Sequence, residues 1–416
     1  MLQILSTSNE TSTGAELVQN GNFSEVGSDL VTNGDFSAAG INLVSNPNFT
    51  DLPLGADWTL GTGWSIGDSK AISTLQSGSK YLTQSSVVES GKSYKVSFEV
   101  IDYTSGSVKA TVSGDEGEAR TGIGTYTEIL NATGTSFSIK NQSGLFIGSV
   151  SNISVQELGE GWTVGSGWTF GDDVAICDGS GANDLLYQIS LPSGDDKSFK
   201  VTFTISSYTS GNVYPLFLVD GSSIPRNAVG TYTIYGVRQY SNNIIYLRGE
   251  NFVGEVSNYS VQQLDPNGYW TLGTGWSIGD TKAISTVTGS NSDITQSILT
   301  AGKTYRTVYE IVDYTAGTAQ AVVTGSDGAD AVALGTFTED LTTTGTDFSI
   351  RSKLGTFDGA VSSVSVKLLG TYDDQSIYVT AADVQTIAQA SVYYLVELTS
   401  MGSKNSLYFL PSSVVP

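Results

Sequence analysis

The chain has no histidine, a single cysteine, and no lysine or arginine before Lys70. Without histidine, the side chain most often used as general base and metal ligand near neutral pH is missing. One thiol, Cys177, excludes an intrachain disulfide framework and a cysteine-built zinc centre. The N-terminus lacks the positive stretch of a secretory signal, and "MLQIL" is too short for its apolar core, so no export route is expected. No run approaches the roughly 18 consecutive apolar residues of a membrane-spanning helix. Basic residues are scarce: 19 Lys+Arg stand against 41 Asp+Glu, a formal net charge of -22. A field of that sign repels polyanions and disfavours nucleic acid as a partner. Prolines number 8 against 48 glycines, which points to many short strands joined by tight turns.

Internal repetition is what the chain has in quantity. All six tryptophans lie in three stretches: "WTLGTGWSIGD" from Trp58, "WTVGSGWTFGD" from Trp162 and "WTLGTGWSIGD" from Trp270. Other landmarks keep step with them. "YKVSFEVIDYTSG" from Tyr94 returns from Phe199 and Tyr305, "GTYTEIL" from Gly124 returns from Gly230 and Gly335, and "GSVSNISVQEL" from Gly148 returns from Gly254 and Gly359. Several blocks in one order, 104 and 108 residues apart at the tryptophans, define three tandem units. In the first, Tyr94, Val96, Phe98 and Val100 alternate with Lys95, Ser97 and Glu99, the period-two pattern of a strand with one buried face. The "YTSG" turn and "SVKATVSG" from Ser107 predict a hairpin over Val100 to Val108. An all-β chain of three β-sandwiches follows, at 41–158, 159–264 and 265–369.

A shorter repeat occupies the N-terminal arm, 1–40, and runs into the first unit: "LVQNGNFS" from Leu17, "LVTNGDFS" from Leu30 and "LVSNPNFT" from Leu43. The third copy stands where a first strand of the opening sandwich belongs. The plainer reading of the other two is a polar arm left by duplication. The alternative is that they pair with sheet edges, in this chain or a neighbour's, by strand addition. In the last segment, 370–416, "TAADVQTIAQA" from Thr380 has a capping-box start and predicts a short helix. "SVYYLVELTS" from Ser391, the turn "MGSK" and "NSLYFLPSSVV" from Asn405 predict a C-terminal β-hairpin domain, which must pack on something larger because a lone hairpin is marginal in water.

"LVTNGDFS", the tryptophan stretch, "YTSG", "GTYTE" and "VSNISV", taken in order, resemble the carbohydrate-binding jelly-roll modules similar to cellulose- and xylan-binding domains, in the degenerate form common in bacteriophage virion proteins. The resemblance covers about residues 40 to 369. It implies jelly-roll sandwiches and a virion structural protein, a fibre or capsid decoration assembled in the host cytoplasm. Such modules often carry a structural calcium near the first strand and a last-strand aspartate. The corresponding positions here are Asn152, Asn258 and Ser363, which argues against calcium and leaves no cofactor expected.

Catalysis has little to stand on. A glycosidase needs two carboxylates at a defined separation, and the carboxylates that recur, Asp68, Asp172 and Asp280, sit in "GD" turns where aspartate bonds its own backbone. No enzyme activity is expected. A sugar site needs exposed aromatic faces beside hydrogen-bonding groups. The candidates for glycan binding are Tyr103, Tyr208 and Tyr314 at the turn after the alternating strand, and Trp64, Trp168 and Trp276 in the tryptophan stretch. For each set a structural role, in packing the sandwich, is the stronger reading. No metal site is expected. The expected function is weak multivalent adhesion to host or environmental glycans. The expected partners are other virion proteins, through the C-terminal hairpin and the N-terminal arm, cell-surface glycans, and further copies in a homo-oligomer, a trimer by analogy. Neither nucleic acid nor membrane insertion is expected. The alternatives are a spacer or assembly protein of the virion with no glycan ligand, and a bacterial surface adhesin.

Overall fold

A computed structural model describes residues 12–51, 57–192, 197–219, 225–238, 242–370, 396–400 and 403–407. Every regular element among them is a β-strand, apart from two single 3₁₀ turns at Gln142–Gly144 and Lys353–Gly355. The chain is all-β, and its strands build jelly-roll sandwiches. It divides into two compact units, one of Ser24–Asn267 with Ser277–Thr281, the other of Met1–Phe23, Gly268–Trp276 and Lys282–Pro416.

In the first of these units the opening sandwich has one sheet ordered Gly124–Asn131, Ser93–Ser105, Ile147–Glu157, Lys70–Ser73, Trp64–Gly67. Its second sheet is ordered Thr59–Leu60, Lys80–Gln84, Phe137–Asn141, Val108–Val112, Asp115–Glu116. Tyr94, Val96, Phe98 and Val100 enter the shared core with Leu82, Phe137, Ile139 and Val155, while Lys95, Ser97 and Glu99 face outward. The alternation thus marks the buried face. The next sandwich of this unit departs from the two-sheet plan. Its last strand, Ile244–Leu264, pairs with Asp184–Ile189 at one end, Ala175–Asp178 in the middle and Ser198–Tyr214 along much of its length, so that one nine-stranded sheet folds round the core.

The predicted hairpin over Val100 to Val108 does not form. Ser93–Ser105 and Val108–Val112 belong to different sheets, and the turn between them is the corner where the chain crosses the sandwich. Gly106 turns it with a φ of 77°, and a β-carbon there would lie 2.1 Å from the Leu145 carbonyl oxygen. Turn residues announce a reversal of direction but not whether the returning strand pairs with its predecessor.

The other unit holds the third sandwich, with sheets built on Lys282–Ser285, Asp358–Gly370, Thr304–Ala316 and Gly335–Thr342, and on Thr271–Leu272, Ser292–Ser297, Asp347–Ser352, Ala319–Val323 and Ser326–Asp327. Near the C-terminus, Val396–Ser400 pairs antiparallel with Ser403–Leu407, a hairpin as expected, with Ser403 and Lys404 in the strand rather than in the turn. The helix expected from Thr380 lies outside the described residues.

The arm overturns the plainer reading of its repeats. Ser12–Glu16, leading into the first copy, pairs with Asp358–Gly370 of the third sandwich. Val26–Asp29, leading into the second copy, pairs with Ile244–Leu264 of the middle one. The third copy lies on the sandwich it precedes: the Leu43 amide donates to the Val155 carbonyl at 2.9 Å. Strand addition within the chain is therefore what the repeats do, and they serve the sandwiches in reverse order.

Candidate functional site

Each sandwich presents a groove beside its last strand, and each groove is filled by one "LVxN(G/P)xF" segment. The contacts repeat almost atom for atom. The amides of Leu17, Leu30 and Leu43 donate to the carbonyls of Val366, Val261 and Val155 at 3.0, 2.8 and 2.9 Å. Val18, Val31 and Val44 are buried. At the next residue a buried glutamine clamps the arm's backbone with both ends of its side-chain amide. Gln296 accepts from the Gln19 amide (3.1 Å) and donates to its carbonyl (2.7 Å). Gln188 does so at Thr32 (3.1 and 2.7 Å), and Gln84 at Ser45 (3.1 and 2.6 Å). A buried amide needs both an acceptor and a donor, and an extended backbone supplies them at one residue.

The segment then turns. Asn20, Asn33 and Asn46 have φ of 49°, 53° and 48°, and the amides of Phe23, Phe36 and Phe49 donate back to their carbonyls at 3.0–3.2 Å. Each of those carbonyls also accepts an indole N–H: from Trp270 at 3.1 Å, Trp162 at 3.0 Å and Trp58 at 3.3 Å. The phenylalanine rings stand 5.2–5.3 Å from the same indoles. Asparagine tolerates the left-handed conformation, whereas phenylalanine, itself at φ 54–60°, adopts it only where packing compels it. Thus the first tryptophan of each pair is a socket for the arm.

A last-strand bulge completes the groove. Asn152, Asn258 and Ser363 take φ of 50–53°, and each turns the amide of the next residue out of the sheet ladder. Ile153, Tyr259 and Val364 then donate to the carbonyls of Pro47, Gly34 and Gly21 at 3.1, 2.7 and 2.8 Å. The positions matched to a calcium-binding aspartate are thus hinges of the backbone. Asn152 also donates its side-chain amide to Glu99.

The six candidate glycan residues come together in pairs, with a phenylalanine in each pair that sequence reasoning did not single out. Trp64, Trp168 and Trp276 are only 6%, 2% and 3% exposed, and their rings lie 6.2–6.4 Å from Phe146, Phe252 and Phe357. None offers a face to solvent. Tyr103, Tyr208 and Tyr314 are half-buried and lie 6.3–6.5 Å from the same phenylalanines. Their hydroxyls donate to the carbonyls of Gly106, Gly211 and Gly317 at 3.0, 3.3 and 3.0 Å. Each Tyr–Phe–Trp set locks a corner of its sandwich, and a glycan would meet only the outer edge of the tyrosine. Cys177 is buried in the middle core, where desolvation pushes its thiol up to about 11, so the thiolate nucleophile is disfavoured. Asp68 and Asp280 occupy left-handed turn positions, and Asp172 pairs with Lys95 at 3.1 Å.

The copies differ at one half-buried charge. In the first sandwich Glu128 meets Arg120 at 3.1 Å. In the third, Glu339 stands at the equivalent place, but Ala331 replaces the arginine, and the Glu339 carboxylate accepts from the Ala329 amide at 2.9 Å. Burial raises the Glu339 carboxyl above the ordinary carboxylate range. A carboxyl with a raised folded-state value costs stability above that value, and the cost is relieved as pH falls through it. Glu339→Gln is therefore expected to leave stability unchanged or raise it by up to about 1 kcal/mol at neutral pH, whereas Glu128→Gln, which strips a partner from Arg120, loses about 1–3 kcal/mol. Denaturant unfolding of the two variants at pH 5 and pH 8 checks both signs.

No protein-family model matches the chain, and no curated protein matches it. Among solved structures it is similar to a chain of Sulfolobus Turreted Icosahedral Virus, at 13% identity over 76% of this chain and 91% of that one, with a TM-score of 0.18. A chain from a structure described as the triple jelly roll fold and turret assembly in an archaeal virus is 14% identical over 76% and 90%, also with a TM-score of 0.18. A likeness of that size carries no argument about function, and the jelly-roll architecture stands on the strand order described above.

Proposed function

We propose that the chain is a non-enzymatic structural protein of a virion, a fibre or capsid decoration. The observation that carries this reading is the arm: three segments fill three grooves and cover the stretch of each last strand that its own sheet leaves open. Covered edges suit a protein displayed in many copies, because an unpaired edge invites aggregation. The resemblance of the repeats to virion jelly-roll modules supports the same reading. The C-terminal hairpin is the element we assign to contacts with other virion proteins. Mass spectrometry of purified virions tests the proposal, and a chain absent from the particle but present in infected cells would defeat it.

Weak adhesion to glycans is the finer part of the proposal, and it rests on the partly exposed edges of Tyr103, Tyr208 and Tyr314. Replacing all three with alanine is expected to abolish signal on a glycan array, since avidity multiplies small losses at each site. Unchanged binding, or none by the wild type, favours a second reading, a spacer with no glycan ligand. The burial of Trp64, Trp168 and Trp276 speaks for that reading.

A further inference from the structure

We infer that copies of this chain join by seating the first arm segment of one copy in the third sandwich of another. This holds whether or not the chain belongs to a virion.

The inference starts from what the grooves recognise. They hold backbone groups through the glutamine, the indole and the bulge amide, and they bury the valine and the phenylalanine shared by all three segments, with Asn46 buried as well in the first sandwich. Of the residues that vary, Gln19, Thr32 and Ser45, and Asn22, Asp35 and Asn48, are exposed, whereas Gly21, Gly34 and Pro47 lie against the bulge, where a β-carbon at Gly21 would stand 2.1 Å from the Val364 carbonyl oxygen. Another copy's first segment has the same sequence, so the third groove cannot tell it from its own. Segment and sandwich are also far apart in sequence: Asn20 meets Trp270 across 250 residues. The third groove is thus not filled by its neighbour in the chain, as the first is.

Which segment fills it is then a matter of concentration. A tethered segment competes at an effective concentration on the order of millimolar. Dilute chains close on themselves. Where copies are crowded to comparable concentration, as on an assembling surface, a segment from a neighbour competes on equal terms. The contact it makes is head-to-tail, and such contacts propagate into open chains unless the rotation closes a ring.

Gly14 and Leu368 give a direct readout. A β-carbon at Gly14 would lie 3.4 Å from that of Leu368, close to disulfide reach, and Leu368 is exposed. Full-length Gly14→Cys and Leu368→Cys chains, mixed at rising concentration under mild oxidation, are expected to give a disulfide-linked dimer that neither gives alone. A synthetic peptide of residues 12–24 should suppress it. If the mixture yields no more dimer than the single variants at millimolar concentration, while the double variant closes within one chain, exchange between copies is refuted. A second measurement uses the full-length Phe23→Ala chain, whose own segment is weakened, and the same peptide carrying a fluorophore. Binding at least about tenfold tighter than that of the peptide's own Phe→Ala form is expected, since one lost aromatic anchor is worth more than 1.4 kcal/mol. Equal binding of the two peptides would refute the seating of the first segment in the third groove.

Discussion

Replacing Phe36 with alanine is expected to cost the middle sandwich about 3–5 kcal/mol, as much as a substitution deep in a core, although the residue lies in an N-terminal arm. The ring is fully buried between Trp162, at 5.3 Å, and Phe170, at 5.8 Å. The walls of this pocket belong to the sheet and the filler to the arm, so the pocket cannot shrink by a shift of one element. The turn suffers as well, because the Asn33 carbonyl that accepts from Trp162 is placed by the bond from the Phe36 amide. Unfolding followed by tryptophan fluorescence checks the value. Phe23→Ala and Phe49→Ala should do the same to the third and first sandwiches, with additive losses because the sites share no partner. A loss below about 1 kcal/mol at Phe36 would show that the arm rests on the sandwich without completing it.

What the sequence revealed of this arrangement, and what it concealed, separates along one physical line. Local periodicity was legible: the alternation from Tyr94 to Val100 marks a buried strand face, and the three tryptophan stretches mark three copies of one sandwich. The segments "LVQNGNFS", "LVTNGDFS" and "LVSNPNFT" were legible as a repeat, and strand addition was one of two readings of it. Their destinations were not, because a pairing across 250 residues leaves no trace in spacing. One signal pointed there: as many segments as sandwiches, each with the same buried-type valine and phenylalanine. The corner at Gly106 was misread for the opposite reason. Turn chemistry is local, but the choice between pairing with the preceding strand and crossing to the facing sheet depends on partners far along the chain, here Phe137–Asn141 and Ile147–Glu157. Trp64 and Tyr103 were candidates for binding beside the stronger reading of packing, because large aromatics near turns serve both purposes. Phe146, which lies close to each, is the packing partner that the sequence did not point to.

That corner carries the other large effect. Gly317→Ala is expected to cost the third sandwich about 3 kcal/mol or more, whereas Gly302→Ala in the same sandwich should cost only about 1–2 kcal/mol. Both glycines are left-handed, with φ of 82° and 75°, so the conformational penalty of a β-carbon is common to the two. They differ in what the β-carbon meets: at Gly302 nothing lies within 4 Å, while at Gly317 the Thr356 carbonyl oxygen would be 1.9 Å away. Relieving that overlap requires two backbone segments to part. The parting strains the bond from the Tyr314 hydroxyl to the Gly317 carbonyl and loosens Phe357 between Tyr314 and Trp276. The difference between the two losses, measured by denaturant unfolding, isolates the close approach from the cost of the left-handed turn. Gly106 and Gly211, at 2.1 and 2.0 Å from the carbonyl oxygens of Leu145 and Asn251, should behave like Gly317 in their own sandwiches. Equal losses at Gly317 and Gly302 would mean that the corner yields without strain.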